Sequence, residues 1–245
     1  WPEFAQAGKE NITVRHVLAH QSGLYHIRQM IDRADRMLDW DHMVRAIEQT
    51  EPIHKPGTRT GYHGLTYGYL VGEIIQRVTG KKFSNLVQSE IAKPLQLDGM
   101  FIGAPKRVLD RAASLIFPDR TRRLSQTSFS HYAEAYFANV SKVLKLLGVD
   151  TDLASIFDAL APRGISNFDF GSPESLRVAI PAGNGLFTAR SLARMYAVLA
   201  NGGELNGVRL LSRATLAQAT ELQTPTGKQS VIRSEEHTSE LQSPD

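Results

Sequence analysis

The feature that most constrains this chain is a glycine-rich segment with a Pro-Gly pair, residues 55–70, which leads into an amphipathic helix pattern. Pro56-Gly57 is a turn dipeptide, because proline presets φ and glycine readily takes the left-handed conformation. After Tyr62, apolar residues recur at helical spacing as far as Gly80, which is suited to end a helix. They are Leu70, Val71, Ile74, Ile75 and Val78. The segment therefore predicts a tight turn that delivers a tyrosine to the mouth of a helix.

Apolar periodicity and capping residues predict further helices on either side of this segment. Thr13 is expected to cap a short helix that ends near Ser22-Gly23. Its inward-facing residues are expected to be Val14, Val17 and Leu18. A second helix is expected over 39–49, and Ser84 is expected to cap another that reaches Pro94.

The second half of the chain contains three more expected helices and a hairpin. Helical runs are expected around 132–147 and 151–160, and a clearer helix over about 189–200. The buried residues of the last helix are expected to be Leu192, Met195, Tyr196 and Leu199. Asn206-Gly207 between two short apolar runs predicts a hairpin with a two-residue turn.

Composition excludes several classes of protein. The chain has no cysteine, so disulfides, thiolate catalysis and cysteine-ligated zinc are excluded. No apolar run approaches the roughly 18 residues that a membrane span needs, so we expect no membrane span. Lysine and arginine number 28 against 25 aspartate and glutamate, a formal net charge of +3 scattered along the chain, so no nucleic-acid partner is indicated.

Two site patterns in the sequence have simpler interpretations. His16 and His20 have the i, i+4 spacing of a zinc site, but a valine follows His16 where a zinc peptidase needs its glutamate, so a surface or capping role is favoured. The segment 183–188 imitates a dinucleotide-binding turn, but Thr188 replaces the third glycine. A Gly-x-Ser-x-Gly nucleophile elbow is absent from the sequence. We therefore expect neither a metal nor a cofactor.

Four segments, in order, resemble the serine β-lactamase-like superfamily, which includes class C β-lactamases, D-alanyl-D-alanine carboxypeptidases and family VIII esterases. They are residues 12–24, 56–70, 71–80 and 181–190, and residues 192–203 continue the match. The resemblance implies an α+β fold of the β-lactamase/transpeptidase type, in which an antiparallel sheet packs beside a mainly helical lobe. It further implies that this chain is mainly the helical lobe, with most strands of the central sheet missing.

The resemblance also implies catalytic roles. In the family, a serine of a Ser-x-x-Lys motif is the nucleophile, and the tyrosine of a Tyr-x-Asn motif transfers protons between nucleophile, leaving group and water. By motif position, Tyr62 is that tyrosine, a general acid and base. No lysine here lies three residues after a serine, so the nucleophile and its lysine are expected upstream of Trp1. The third motif, which the family places beyond Leu211, is not reproduced by 226–228.

The third position of the tyrosine motif indicates the substrate class. Gly64 stands where β-lactamases and carboxypeptidases have an asparagine that donates a hydrogen bond to the substrate. This favours an esterase acting on small acyl esters, with a lactamase or peptidase as the nearest alternative and a non-catalytic binding module as another. His63 and Tyr25 are further candidates for substrate binding. The expected partner is a small-molecule ester or lactam, and the oligomeric state is not readable.

The chain is expected to consist of two segments. Residues 1–232 are expected to be a partial serine hydrolase domain, inactive by itself, and residues 233–245 match an in-frame translation of a sequencing adapter and are expected not to be native. The region that would carry a signal peptide is expected to be missing upstream of Trp1, so the location is left open, with the cytoplasm slightly favoured over the periplasm.

Overall fold

The computed structural model describes residues 1–115 and 158–223 of the chain. The described α-helices are α1 (Val14–Leu18), α2 (Ile27–Met30), α3 (Trp40–Gln49), α4 (Thr66–Thr79), α5 (Phe83–Leu86), α6 (Pro173–Arg177), α7 (Ala189–Ala200) and α8 (Arg213–Thr220). A π-helical turn, Val87–Ala92, continues α5. Short 3₁₀ helices cover Pro2–Ala5, Ala34–Leu38, Lys106–Arg111 and Ile165–Asn167. None of the described helices is long and apolar enough to cross a membrane.

The described strands form two antiparallel pairs of two residues each. Strand β1 (Met100–Phe101) pairs with β2 (Leu186–Phe187), and β3 (Glu204–Leu205) pairs with β4 (Val208–Arg209). The second pair is the hairpin predicted from Asn206-Gly207, and both turn residues have positive φ, 51° and 80°. The hairpin is therefore confirmed, because this turn type needs residues that tolerate the left-handed conformation.

Helix boundaries are well predicted where a local cap decides them. The Thr13 hydroxyl accepts a hydrogen bond from the His16 N–H at 3.2 Å, as expected for the cap of α1. Helix α4 ends just before Gly80, whose φ is +67°. The prediction that Ser84 caps α5 is wrong, since the helix begins at Phe83. There the Gln76 side chain accepts a hydrogen bond from the Phe83 N–H at 2.8 Å, which satisfies the helix terminus from outside.

The prediction that apolar helix residues are buried is wrong for several residues at the ends or on the outward faces of helices. Val14, Leu18, Val78 and Tyr196 are 54%, 51%, 82% and 59% exposed. Helix α1 has only five residues, so only Val17 of the three expected positions reaches the core. The buried residues of α7 are Ser191 and Val198, and Tyr196 lies two residues from Val198, roughly 200° around the helix, on the opposite face. The runs expected over 132–147 and most of 151–160 lie outside the described residues.

The chain divides into two compact units. Of the described residues, the first contains Pro2–Tyr67, Leu115 and 158–168, and the second contains Gly68–Ser114 and 169–223. Buried apolar side chains of the first unit include Val17, Leu24, Tyr25, Ile27, Ile31, Met37, Met43 and Ile47. Those of the second unit include Val87, Ala92, Leu95, Leu97, Met100 and Val198, which form one cluster.

A buried asparagine holds together the loop between α6 and β2 in the second unit. Asn184 is 5% exposed, and its Oδ1 accepts a hydrogen bond from the Ile180 N–H at 2.9 Å. Its Nδ2 donates to the carbonyl oxygens of Ser175 at 2.6 Å and Val178 at 2.7 Å. One side chain thus satisfies three backbone groups that this irregular segment would otherwise leave unpaired.

We expect Asn184→Ala to lower the free energy of unfolding of the whole protein by about 2–4 kcal/mol, because it leaves buried backbone groups without partners. Asn201→Ala is the matched control, because it removes a single exposed hydrogen bond from the Asn201 side chain to the Ala197 carbonyl. This substitution is expected to lower the free energy of unfolding by about 1 kcal/mol or less. Denaturant unfolding measures both. Equal effects of the two substitutions would contradict the bridging role.

Candidate functional site

Tyr62 lies on a short loop that runs from the Pro56-Gly57 turn to the start of α4. The loop is tied by backbone hydrogen bonds to residues 20–21 of the first unit. The Gly57 N–H donates to the Gln21 carbonyl at 3.0 Å, and the Gly61 N–H donates to the His20 carbonyl at 2.9 Å. The turn predicted from Pro56-Gly57 is present, with φ of +78° at Gly57.

Gly61 permits the close approach of an aromatic ring to this loop. A Cβ atom at position 61 would overlap the ring of Tyr25, so no residue but glycine fits without movement. Tyr25 is 2% exposed, and its ring lies edge-on to that of His63 with 5.5 Å between the ring centroids. The loop therefore packs directly on the aromatic core of the first unit.

The imidazole of His63 is fully buried and hydrogen-bonded at both nitrogens. Nδ1 lies 2.7 Å from the Gly61 carbonyl oxygen, which only accepts, so Nδ1 carries the proton. Nε2 is then an acceptor, and the Ser22 hydroxyl donates to it at 2.6 Å. The Ser22 oxygen in turn accepts from the Leu24 N–H at 3.4 Å. The surroundings of His63 therefore select one neutral tautomer.

His20 binds the backbone on the other side of Tyr62. Its Nδ1 accepts a hydrogen bond from the His63 N–H at 3.2 Å. Its ring centroid lies 5.3 Å from that of Tyr62 and 4.6 Å from that of Tyr67. His20 has φ of +56°, an uncommon conformation for a residue other than glycine, and it turns the ring toward the loop.

Burial keeps both histidines uncharged. It lowers the pKa of His63 to about 3, with the neighbouring His20 adding to the effect and the hydrogen bond to Gly61 opposing it. Burial also lowers the pKa of His20 to about 4. At neutral pH the surroundings of Tyr62 therefore carry no charge from either ring.

Gly64 faces an apolar side chain from a distant part of the chain. A Cβ atom at Gly64 would overlap Cδ2 of Leu160 and lie 3.5 Å from Cε1 of Tyr62. Leu160 is 41% exposed, so an accessible apolar group stands beside the tyrosine loop. Within residues 1–115 and 158–223, nothing hydrogen-bonds the hydroxyl of the half-buried Tyr62.

The structure thus brings the four residues proposed from sequence, Tyr62, His63, Gly64 and Tyr25, into one unit. His63 and Tyr25 are 0% and 2% exposed, and their rings contact each other inside the first unit. Their direct contact with substrate stays a prediction, as does the catalytic role of Tyr62.

Three neighbours of the tyrosine loop were not found by sequence reasoning: Ser22, His20 and Leu160. In the sequence, Ser22 beside Gly23 indicates only the end of a helix. No neighbouring residue indicates that Ser22 binds His63, which lies 41 positions away. The polar run from His20 to Ser22 after an apolar helix was the available signal. Leu160 carries no signal, because the contact joins distant segments.

His16 and His20, which have the spacing of zinc ligands, are hydrogen-bonded to backbone groups. The His16 Nδ1 accepts from the Thr13 N–H at 3.3 Å, completing a capping box, and His20 binds the His63 N–H. The favoured capping role is therefore confirmed for His16. In the described ranges, no group of three or more His, Cys, Asp or Glu is placed to hold a metal ion.

A sequence model described as Beta-lactamase matches residues 1–236. The chain belongs to the beta-lactamase family. This beta-lactamase family chain is 33% identical over 234 residues to the esterase/beta-lactamase LipL of Mycobacterium tuberculosis (strain ATCC 25618 / H37Rv). That alignment covers 90% of this chain and 47% of the relative.

Solved structures confirm the fold of this beta-lactamase family chain. It is similar to a family VIII carboxylesterase, with 27% identity and a TM-score of 0.72, over 91% of this chain and 53% of the other. It also resembles a penicillin-binding protein homologue from Caulobacter crescentus, with 32% identity and a TM-score of 0.63, over 88% and 50% of the two chains. The β-lactamase/transpeptidase-like fold is therefore confirmed. The described part of the chain is rich in helices and has few strands. The chain spans about half the length of these relatives.

We expect the stability of the whole protein to fall as pH drops from about 6.5 toward 4. The unfolded histidines bind protons below their ordinary pKa, whereas folded His20 and His63 stay neutral until pH reaches about 4 and 3. Each then contributes a slope of up to about 1.4 kcal/mol per pH unit, with stability lost on the acid side. Thermal melts between pH 7.5 and 4.5 measure the slope.

His20→Asn, which has no titrating ring, should give a shallower slope over the same pH range. An identical slope in the two proteins would show that His20 does not fold as a buried neutral ring.

Proposed function

We propose that the whole protein is an esterase of the serine hydrolase type, acting on small acyl esters through an acyl-enzyme. The observation that supports this choice is the apolar side chain of Leu160 beside Gly64 and Tyr62. An asparagine amide at this place would offer a hydrogen bond to an amide substrate, whereas this combination offers apolar contact. A simple acyl ester needs apolar contact more than it needs a hydrogen bond to an amide.

The proposed reaction has two acyl-transfer steps. In the first, the oxygen of a serine supplied by a Ser-x-x-Lys motif attacks the ester carbonyl carbon. The serine proton passes to the departing alcohol, and the bond from the carbonyl carbon to the alcohol oxygen breaks. In the second step, water attacks the acyl-serine, its proton returns to the serine oxygen, and the carboxylic acid leaves.

Tyr62 is assigned the proton transfers in both steps. Its ring is half-buried, and its hydroxyl has no hydrogen-bond partner among the residues that the structure describes, so it can pair with the reacting oxygens. Of the two neighbouring imidazoles, His63 is engaged at both nitrogens, and His20 is engaged at Nδ1 by the His63 N–H. A positioned general acid and base contributes roughly 10²–10⁴-fold to rate.

Lactam hydrolysis is the nearest rival. The curated relative is named an esterase/beta-lactamase, and one solved neighbour is titled a penicillin-binding protein homologue. The other similar structure is titled a family VIII carboxylesterase and has the higher TM-score of these two structures, 0.72 against 0.63. Turnover of an acetate ester compared with a cephalosporin separates the two activities, and activity on neither would indicate a non-catalytic binding module.

Tyr62→Phe in the whole protein should lower kcat for p-nitrophenyl acetate by roughly 10²–10⁴-fold while leaving the thermal melt unchanged, since only the hydroxyl is removed. Tyr196→Phe is the matched control, because Tyr196 is 59% exposed on α7, and its kcat should stay within about twofold of the parent protein. Full activity of Tyr62→Phe would remove the phenol from the mechanism.

The apolar contact at Gly64 generates a test of substrate class. Leu160→Ala should lower kcat/KM for p-nitrophenyl hexanoate relative to the acetate by about 5- to 20-fold, because the longer acyl chain loses apolar contact. Leu18→Ala removes an equally large side chain that is 51% exposed on α1, and its hexanoate-to-acetate ratio should not change. An unchanged ratio in Leu160→Ala would place the acyl chain elsewhere.

A further inference from the structure

We propose that His20, Ser22 and His63 form a clamp that positions the Tyr62 phenol for proton transfer, a role resting on the proposed function above. The three side chains are called the clamp below. Its members are positioning residues: His20 and His63 bind the backbone on either side of Tyr62, Ser22 supports the His63 imidazole, and all three act through the tyrosine.

The hydrogen bonds of the clamp meet on either side of Tyr62. Before the tyrosine, the Gly61 N–H donates to the His20 carbonyl, and the Gly61 carbonyl accepts from the His63 Nδ1. After it, the His63 N–H donates to the His20 Nδ1 at 3.2 Å, and the His63 carbonyl accepts from the Tyr67 N–H at 3.3 Å. The backbone on either side of Tyr62 is therefore held by His20, which lies outside the loop, and by the imidazole of His63, which lies within it.

Ser22 completes the hydrogen bonding of the clamp. The Gly61 carbonyl, which only accepts, fixes the proton on Nδ1 of His63, and the Ser22 hydroxyl then donates to the remaining acceptor, Nε2. Without the serine, Nε2 would be a buried acceptor with no partner, and the other tautomer would break the bond to Gly61. Ser22 therefore stabilises the tautomer of His63 that binds the Gly61 carbonyl.

The pair Ser22 and His63 has the heavy-atom distance of a nucleophile and its base, but its location excludes that role. Both side chains are 0% exposed, so no ester carbonyl can reach the serine oxygen. The remaining histidine nitrogen binds the carbonyl of Gly61 within the same loop, two residues before His63. The dyad therefore serves the loop and not a substrate.

Positioning matters here because the phenol projects from a short loop and not from a helix. A small rotation of the backbone at Tyr62 displaces the hydroxyl by about 1 Å, and a misplacement of this size can cost roughly 10²-fold in rate. The ring of His20 adds a side-on contact, with 5.3 Å between the ring centroids. The clamp thus limits both the backbone and the ring of the tyrosine.

The test compares two substitutions at His20, whose φ is +56°. Glycine and asparagine both tolerate this conformation, but only asparagine offers an oxygen near the place of Nδ1 to accept from the His63 N–H. In the whole protein, we expect His20→Gly to lower kcat for p-nitrophenyl acetate about 10- to 100-fold with KM within about twofold. His20→Asn should keep kcat within about threefold of the parent.

The same pair is then measured in the Tyr62→Phe background. If the clamp acts through the phenol, His20→Gly and His20→Asn have equal kcat there, because the group they position is already gone. The same loss in both backgrounds would show a general structural role and overturn the proposal. Equal activity of the two variants with Tyr62 present would overturn it as well.

These outcomes separate the clamp from the proposed function. If Tyr62→Phe alone leaves kcat unchanged, the catalytic role of the tyrosine is rejected, and the clamp is rejected with it. A large effect of Tyr62→Phe, with no difference between glycine and asparagine at position 20, defeats the clamp alone.

A second variant covers the case in which the glycine variant does not fold. Ser22→Ala is expected to give the same Tyr62-dependent loss in kcat, whereas Ser175→Ala, a 2% exposed serine in the second unit, should lower stability without it. Thermal melts establish the folded fraction of each variant. If neither His20→Gly nor Ser22→Ala folds, the residues act in folding and the positioning role is rejected.

Discussion

A fully buried imidazole is the constraint on which the tyrosine loop depends. A neutral histidine in the interior needs an acceptor for its N–H and a donor for its other nitrogen, or it loses the hydrogen bonds it made in water. In this chain the Gly61 carbonyl and the Ser22 hydroxyl meet these two needs at 2.7 and 2.6 Å. Because Gly61 and His63 flank Tyr62, satisfying the histidine also determines the course of the chain through the tyrosine.

The neighbouring residues follow from this arrangement. Gly61 has to be glycine, because the ring of Tyr25 occupies the space of a Cβ atom, and that ring also covers the edge of His63. His20 adopts a left-handed conformation that directs Nδ1 at the His63 N–H. The rings of His20 and His63 are thus uncharged at neutral pH, beside a phenol whose hydroxyl has no hydrogen-bond partner among the described residues. Leu160, which is 41% exposed, supplies an apolar group beside Gly64.

Sequence reasoning succeeded where the determining interactions are local. The cap at Thr13, the end of α4 at Gly80 and the hairpin at Asn206-Gly207 each depend on a few consecutive residues, and all three are present. It failed where another segment decides the outcome. The start of α5 is set by Gln76 and not by Ser84, and Tyr196 is exposed because the core contacts α7 at Val198. Four motifs in the expected order were enough to recognise the family, because the order of motifs along the chain can be read without knowing which residues are in contact.

The sequence by itself determined the family, the turn that carries Tyr62 and the absence of an amide at Gly64, because each is a property of residue type and order. Only the tertiary structure decided that His63 is buried and bound to Ser22, and that Leu160 stands beside Gly64. These pairs join segments separated by 41 and by about 100 positions, and no local propensity encodes such contacts. They arise when chain segments pack and every buried polar atom has to find a partner.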